Sequence, residues 1–206
     1  MAVGCSDGRL DPRNHRETLH ARTLMRTLQA SRLRQVGGFA LIDLLFVIAI
    51  IGVIASMAIP GLLRARASAG VASAVGSLRV INSAEISYAI TCGSGFYAPN
   101  LTTLGTVPPG AQTAFISDDL GVANTVVKAN YQIQLASTGM AGTPPGCSGL
   151  AAGQAGTGYK AGADSLDPTL NRFFATNAAG VIYEADVTLY PTMPESAPPA
   201  IGIPIQ

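Results

Sequence analysis

Of the side chains in this sequence that could do chemistry, the one most out of place is the carboxylate of Asp43. It is the only charged residue in the 21-residue apolar run FALIDLLFVIAIIGVIASMAI, Phe39 to Ile59. Burying a carboxylate in hydrocarbon costs about 2.5–3.5 kcal/mol even on lenient insertion scales, so Asp43 calls for a cationic partner. The rest of the chain is poor in catalytic groups. Both histidines, His15 and His20, precede Gly38, so nothing beyond that point can form a Ser-His or Cys-His nucleophile pair or a histidine metal site. The carboxylates Asp118, Asp119, Asp164, Asp167, Glu184 and Asp186 remain as oxygen donors. Their spacing matches no calcium loop and reads as solvated surface charge; no metal and no cofactor is expected. The stretch GMAGTPPGCSGLAAGQAGTGYKAGA, 139–163, holds eight glycines and superficially suggests phosphate binding. Tyr159 interrupts the Gly-Lys pair, neither Ser nor Thr follows Lys160, and no apolar strand precedes it, so a flexible surface loop is expected. The chain is not read as an enzyme.

The element that must position Asp43 is a helix. Twenty-one residues at 1.5 Å each reach about 30 Å, the thickness of a bilayer core, so the run 39–60 reads as a membrane-spanning helix. Charge gives it a direction. Seven arginines lie before Gly38 against Asp7, Asp11 and Glu17, whereas six Lys/Arg face nine Asp/Glu from Phe39 onward. Arg22, Arg26, Arg32 and Arg34 form the larger cluster flanking the run, which keeps the N-terminus cytoplasmic and translocates the body. A cleaved secretory signal, with Ser56 and Ala58 at the cleavage site, is the rival, but its apolar core would be only about 7–15 residues long. No basic patch follows Gly38, so nucleic-acid binding is not expected. In the oxidising compartment that such a body enters, Cys92 and Cys147 would form a disulfide closing a loop of about 55 residues; the alternative is two free buried thiols.

Past Pro60 the helix is expected to continue through 61–92 as an amphipathic half. Val71, Val75, Leu78, Ile81, Ile86, Ala89 and Ile90 recur at helical spacing with Arg79, Asn82 and Glu85 between them, and Gly93 serves as the C-cap. Gly52 and Pro60 are weak points in it. A turn-rich connection runs from Gly93 to about Ser117. Strands are predicted in NYQIQLAS, NRFFAT and GVIYEADVTLY, the last two flanking the turn NAAG at 177–180. The economical fold is α+β, a long N-terminal helix packed against a small antiparallel sheet within a globular region 93–190. A tail, 191–206, has five prolines in sixteen residues and reads as extended or disordered.

The junction before the apolar run carries a family likeness. Gly37-Gly38-Phe39-Ala40-Leu41-Ile42-Asp43 places Gly-Phe, three residues, and an acid ahead of a long apolar helix. This resembles the type IV prepilins and the pseudopilins of type II secretion over residues 32–92. Asp43 stands where that family usually has Glu, and Ala40 where Thr is frequent. The resemblance implies a pilin-like fold, cleavage between Gly38 and Phe39 by a prepilin peptidase, and N-methylation of the Phe39 amine. It also implies polymerisation through the N-terminal helices into a helical homopolymer. It supplies Asp43 with its partner, the Phe39 α-amine of the same or a neighbouring subunit. It implies as further partners the peptidase/methyltransferase, an inner-membrane assembly platform with its ATPase, and membrane lipid before assembly. In the filament the Gly52–Pro60 segment would lose helical order. Residues 25–38, MRTLQASRLRQVGG, would form a basic leader, with 1–24 a non-native or dispensable extension; a long leader beginning at Met1 is the alternative. RFFATNAAGVIYE is similar to the closing hairpin of major pseudopilins. DSLDP and EAD would be the donors if calcium were bound, as it is in some of them. Cys147 lies 59 residues before the end, so the C-terminal disulfide loop of many type IV pilins is absent, which shifts the likeness toward pseudopilins or a divergent pilin.

The function expected is therefore that of a structural pilus-like subunit. It is single-pass in the inner membrane before assembly, then part of a cell-surface pilus or a periplasmic pseudopilus. A pseudopilin of a type II secretion system is the alternative, and a lone membrane-anchored binding domain the more distant one.

Overall fold

A computed structural model describes residues 41–205. The Gly38-Phe39 junction with its expected methylation site, the leader 25–38, the extension 1–24 and Cys5 lie outside the described residues. The chain divides into two compact units between Met57 and Ala58. The described part of the first is wholly helical. Helix α1, Leu41–Thr91, has 51 residues and continues without interruption through Gly52 and Pro60.

Within the second unit, one face of α1 is buried. It comprises Gly70, Ala74, Ser77, Leu78, Ile81, Asn82, Ala84, Glu85, Tyr88 and Ala89. The expected stripe is corrected here. Ile86 and Ile90 are 52% and 77% exposed, while Asn82 and Glu85, expected between the apolar positions, are in the core. Small residues at 70, 74, 77 and 84 let the sheet approach closely, and the polar groups at 82 and 85 find partners there. Gly93 is also reassigned. The left-handed residues after the helix are Ser94 (φ 52) and Gly95 (φ 91). Gly93 is required by space, since a Cβ there would lie 2.0 Å from the Phe96 carbonyl oxygen.

The sheet is a six-stranded antiparallel meander in sequence order. Its strands are β1 Thr125–Lys128, β2 Tyr131–Ala136, β3 Lys160–Ser165, β4 Phe173–Asn177, β5 Ile182–Ala185 and β6 Ile203–Pro204. In β2, Tyr131, Ile133 and Leu135 are buried in strict alternation and meet α1 residues in one hydrophobic core with Ala161, Ala163, Phe174 and Ile182. The expected NAAG turn is present, with Gly180 at φ 76 and its N–H donating to the Asn177 carbonyl at 2.8 Å.

One expectation fails and a second is narrowed. The glycine-rich stretch 139–163 is not a loose surface loop. Thr143, Leu150, Ala155 and Tyr159 are buried, and its last residues enter β3, which lies between β2 and β4. The proline-rich tail, expected to be extended or disordered, is docked, with part of it extended as β6. Met193 is buried with Leu189 and Ala175 in a second, smaller core. The Asn177 side-chain amide donates to the carbonyls of Pro194 and Ala197, and β6 pairs with β5. The turn-rich connection also holds a short helix α2, Leu101–Gly105, capped by Asn100, whose side chain accepts the Thr103 N–H at 2.9 Å. A second short helix, α3, Asp118–Gly121, follows it.

Candidate functional site

The largest chemical anomaly on the molecule is the surface of α1 from 41 to 63. Its sequence is apolar on every side of the helix, so no single face can be hidden by packing. Fifteen large apolar side chains there are exposed, from Leu41 (75%) to Leu63 (60%). Soluble monomers rarely expose a contiguous apolar surface beyond a few hundred Å², so this one must be covered by something else. The helix is long and apolar enough to cross a membrane once. Each of these side chains gains about 1.5–3 kcal/mol on leaving water, so the exposed state in water is strongly disfavoured.

Asp43 sits in the first turn of α1. Its side chain has no hydrogen-bond or ion-pair partner among the described residues. Gly52 lies open, with nothing within 4 Å of the place a Cβ would occupy. At Pro60 the ring removes one helical N–H, and the helix nonetheless continues. Among the described residues no contact calls for glycine at 52. Cys92 and Cys147 are brought together in a disulfide with Cα atoms 5.0 Å apart, tying the end of α1 to the glycine-rich stretch. The expected sites thus fall in two separate places, Asp43 with Gly52 and Pro60 on the exposed helix, and the disulfide at the head end of α1.

The remaining carboxylates do not converge. Asp119 pairs with Lys128 at 2.6 Å, which holds its carboxyl below the usual range. Glu184 pairs with Arg172. Asp164 accepts from the Thr188 hydroxyl, and Asp167 accepts from the N–H and hydroxyl of Thr169, which lowers its pKa. Among the described residues no group of three or more His, Cys, Asp or Glu is arranged to hold a metal ion.

Sequence reasoning missed a buried polar cluster between α1 and the sheet. The Asn82 amide donates to the Thr176 hydroxyl (3.0 Å) and the Gly180 carbonyl (3.2 Å), and its oxygen accepts from the Tyr159 hydroxyl (2.9 Å). One turn away Glu85 is fully buried. One carboxyl oxygen accepts the Ala98 N–H at 2.9 Å, while the other has no partner. Burial pushes its pKa up to about 8 against the opposing effect of that N–H. Burial thus favours the protonated, neutral form of Glu85 well above the pH at which a solvated glutamate ionises. The Tyr88 hydroxyl, also buried without a partner, is pushed up by burial and then by proximity to Glu85. The signal for this cluster is the three-residue spacing of Asn82 and Glu85, which matches a polar face as readily as a buried one. A cavity beside Arg64 and Arg66 is a second feature that sequence reasoning missed.

No protein-family model matches this chain, and no curated protein or solved structure matches it either.

Proposed function

We propose that this chain is a structural subunit of a type IV pilus-like filament. In this reading it is inserted in the inner membrane with its N-terminus cytoplasmic, cleaved at Gly38-Phe39, N-methylated at Phe39 and polymerised through α1. The observation that carries the reading is that, among the described residues, Asp43 has no partner and the apolar surface of its helix has no cover. A bilayer covers such a surface before assembly and neighbouring helices cover it afterwards. Cleavage would create an α-amine four residues from Asp43, about 6 Å along a helix. An amine from a staggered neighbour at that level neutralises the carboxylate only in one register. Leaving a buried charge unpaired costs about 3–5 kcal/mol, enough to select that register.

The test is Asp43→Asn, followed by intact mass and N-terminal sequencing of protein sheared from cells. Wild-type sheared protein should begin at N-methyl-Phe39, and the variant should remain inserted in the membrane but absent from the sheared fraction. Normal filaments from the variant would refute the assembly role of Asp43. An uncleaved wild-type chain would mean a lone membrane-anchored domain.

A pseudopilin of type II secretion is the second reading. The position of the disulfide favours it, because Cys147 closes onto the end of α1 rather than around the C-terminus. A processed chain confined to the membrane fraction would select this reading over a surface pilus.

A further inference from the structure

Immediately after Leu63, where the apolar surface ends, α1 carries Arg64 and Arg66, neither of which has an ion-pair partner among the described residues. Both line a cavity of about 480 Å³ that also includes Asn130, Tyr131, Asp167 and Thr169. That volume is in the range of small-molecule sites, roughly 300–1,000 Å³. The wall opposite the helix is held in place with some strain. Ala129 and Asn130 form the two-residue turn between β1 and β2, both left-handed, at φ 49 and φ 67. Asn tolerates that backbone, whereas the Cβ of Ala disfavours it. The turn presses on α1 at Gly70, where a Cβ would lie 2.9 Å from the Ala129 carbonyl oxygen.

The charged residues lining this cavity are Arg64, Arg66 and Asp167. Guanidiniums bind phosphate oxygens through paired N–H groups. The Asp167 carboxylate has one oxygen engaged by Thr169, leaving the other to accept from a cation with N–H donors. A purely anionic group would meet repulsion from Asp167, and a quaternary ammonium would offer it no hydrogen. We infer that the cavity beside Arg64, Arg66 and Asp167 binds the headgroup of a membrane phospholipid bearing a phosphate and a primary ammonium, a phosphoethanolamine lipid. The inference rests on the membrane-inserted state proposed above. The headgroup layer begins where the hydrocarbon ends, and along α1 that is the step from Leu63 to Arg64. Arg64 and Arg66 take the phosphate and Asp167 takes the ammonium, which leaves the acyl chains in the hydrocarbon layer.

The test uses delipidated full-length protein in detergent, with lipid binding read by native mass spectrometry. Phosphatidylethanolamine, phosphatidylglycerol and phosphatidylcholine with identical acyl chains are titrated separately. Phosphatidylethanolamine should bind most tightly. Arg64→Gln and Arg66→Gln should each weaken it about fivefold, the effect of one basic residue near an anionic surface. Asp167→Asn should abolish the preference over phosphatidylcholine, and Asp167→Glu should keep it. Equal binding of all three lipids, or no loss in the arginine double variant, would overturn the inference. Free phosphoethanolamine binding as tightly as the lipid would also overturn it, by making this a site for a soluble ligand. Vesicle flotation of the same variants keeps the two readings apart. Arg64→Gln/Arg66→Gln protein should still float, and a wild-type chain that does not float would refute membrane insertion itself.

Discussion

Replacing Glu85 with Gln should remove most of the pH dependence of stability between pH 5 and pH 8. Glu85 is fully buried, with a pKa raised from 4.5 to about 8, chiefly by burial and despite the Ala98 N–H on one oxygen. The folded chain therefore holds this proton up to about pH 8, whereas the unfolded chain releases it near 4.5. Across that window the folded state binds more protons than the unfolded state, so stability declines as pH rises. The slope is about 1.4 kcal/mol per pH unit, so roughly 4 kcal/mol is lost from pH 5 to pH 8. Below about pH 4.5 this residue contributes no slope, and above about pH 8 the loss is complete. Gln has the same shape, can accept the Ala98 N–H, and does not titrate. Asp119 and Asp167 have lowered pKa values and titrate below the window, and Tyr88 and Tyr159 are raised from 10.0 and titrate above it. Asp164, raised by partial burial, has the sign of Glu85 but is common to both chains. The assay is urea unfolding of the full chain in detergent with its disulfide intact, followed by tyrosine near-ultraviolet circular dichroism at fixed ionic strength. The difference between variant and wild type should grow in favour of Gln by about 4 kcal/mol from pH 5 to pH 8. Parallel pH profiles would refute the reasoning and mean that Glu85 is ionised or hydrated in the native state.

Further outcomes can be read by the same urea titration. Reducing the Cys92–Cys147 bond, or replacing both residues with Ser, should lower stability by about 4 kcal/mol in the chain-entropy account for a separation of 55 residues. Gly93→Ala should destabilise the head by about 1–3 kcal/mol, because its Cβ would meet the Phe96 backbone rather than a flexible side chain. Gly52→Ala, with open space around it, should leave the head's unfolding midpoint unchanged.

Much of the fold was legible because its signals are local. The apolar run and the alternation in YQIQLA carry their own periodicity, and Asn177 and Gly180 carry the chemistry of their turn. Strand β3, KAGADS, was not legible, because it contains no β-branched or aromatic residue. Its alanines and glycine suit a crowded strand. A Cβ at Gly162 would lie 2.5 Å from the Tyr190 side chain of the 3-10 turn Tyr190–Thr192, which covers that face. The docking of the tail was not legible for a related reason. Proline content argues against regular structure, but not against docking through Met193 and two carbonyls that receive the Asn177 amide. At the candidate site, Asp43 was conspicuous because charge in an apolar run needs no tertiary knowledge to be seen. The cavity at Arg64 and Arg66 was not, because its other wall comes from 129–131 and 167–170.

The sequence by itself determined where the chain is apolar, that one acid interrupts the apolar run, and that only two cysteines follow Gly38, because composition and spacing are properties of the chain alone. Tertiary structure decided which face of α1 is inside. Whether Asn82 is a surface residue or a core residue depends on Thr176, which reaches it from 94 positions away. Whether Glu85 is a charge or a neutral acid depends on the Ala98 N–H and on a sheet that excludes water. The free energy of a polar group is set by its surroundings, and those are assembled only when distant segments meet.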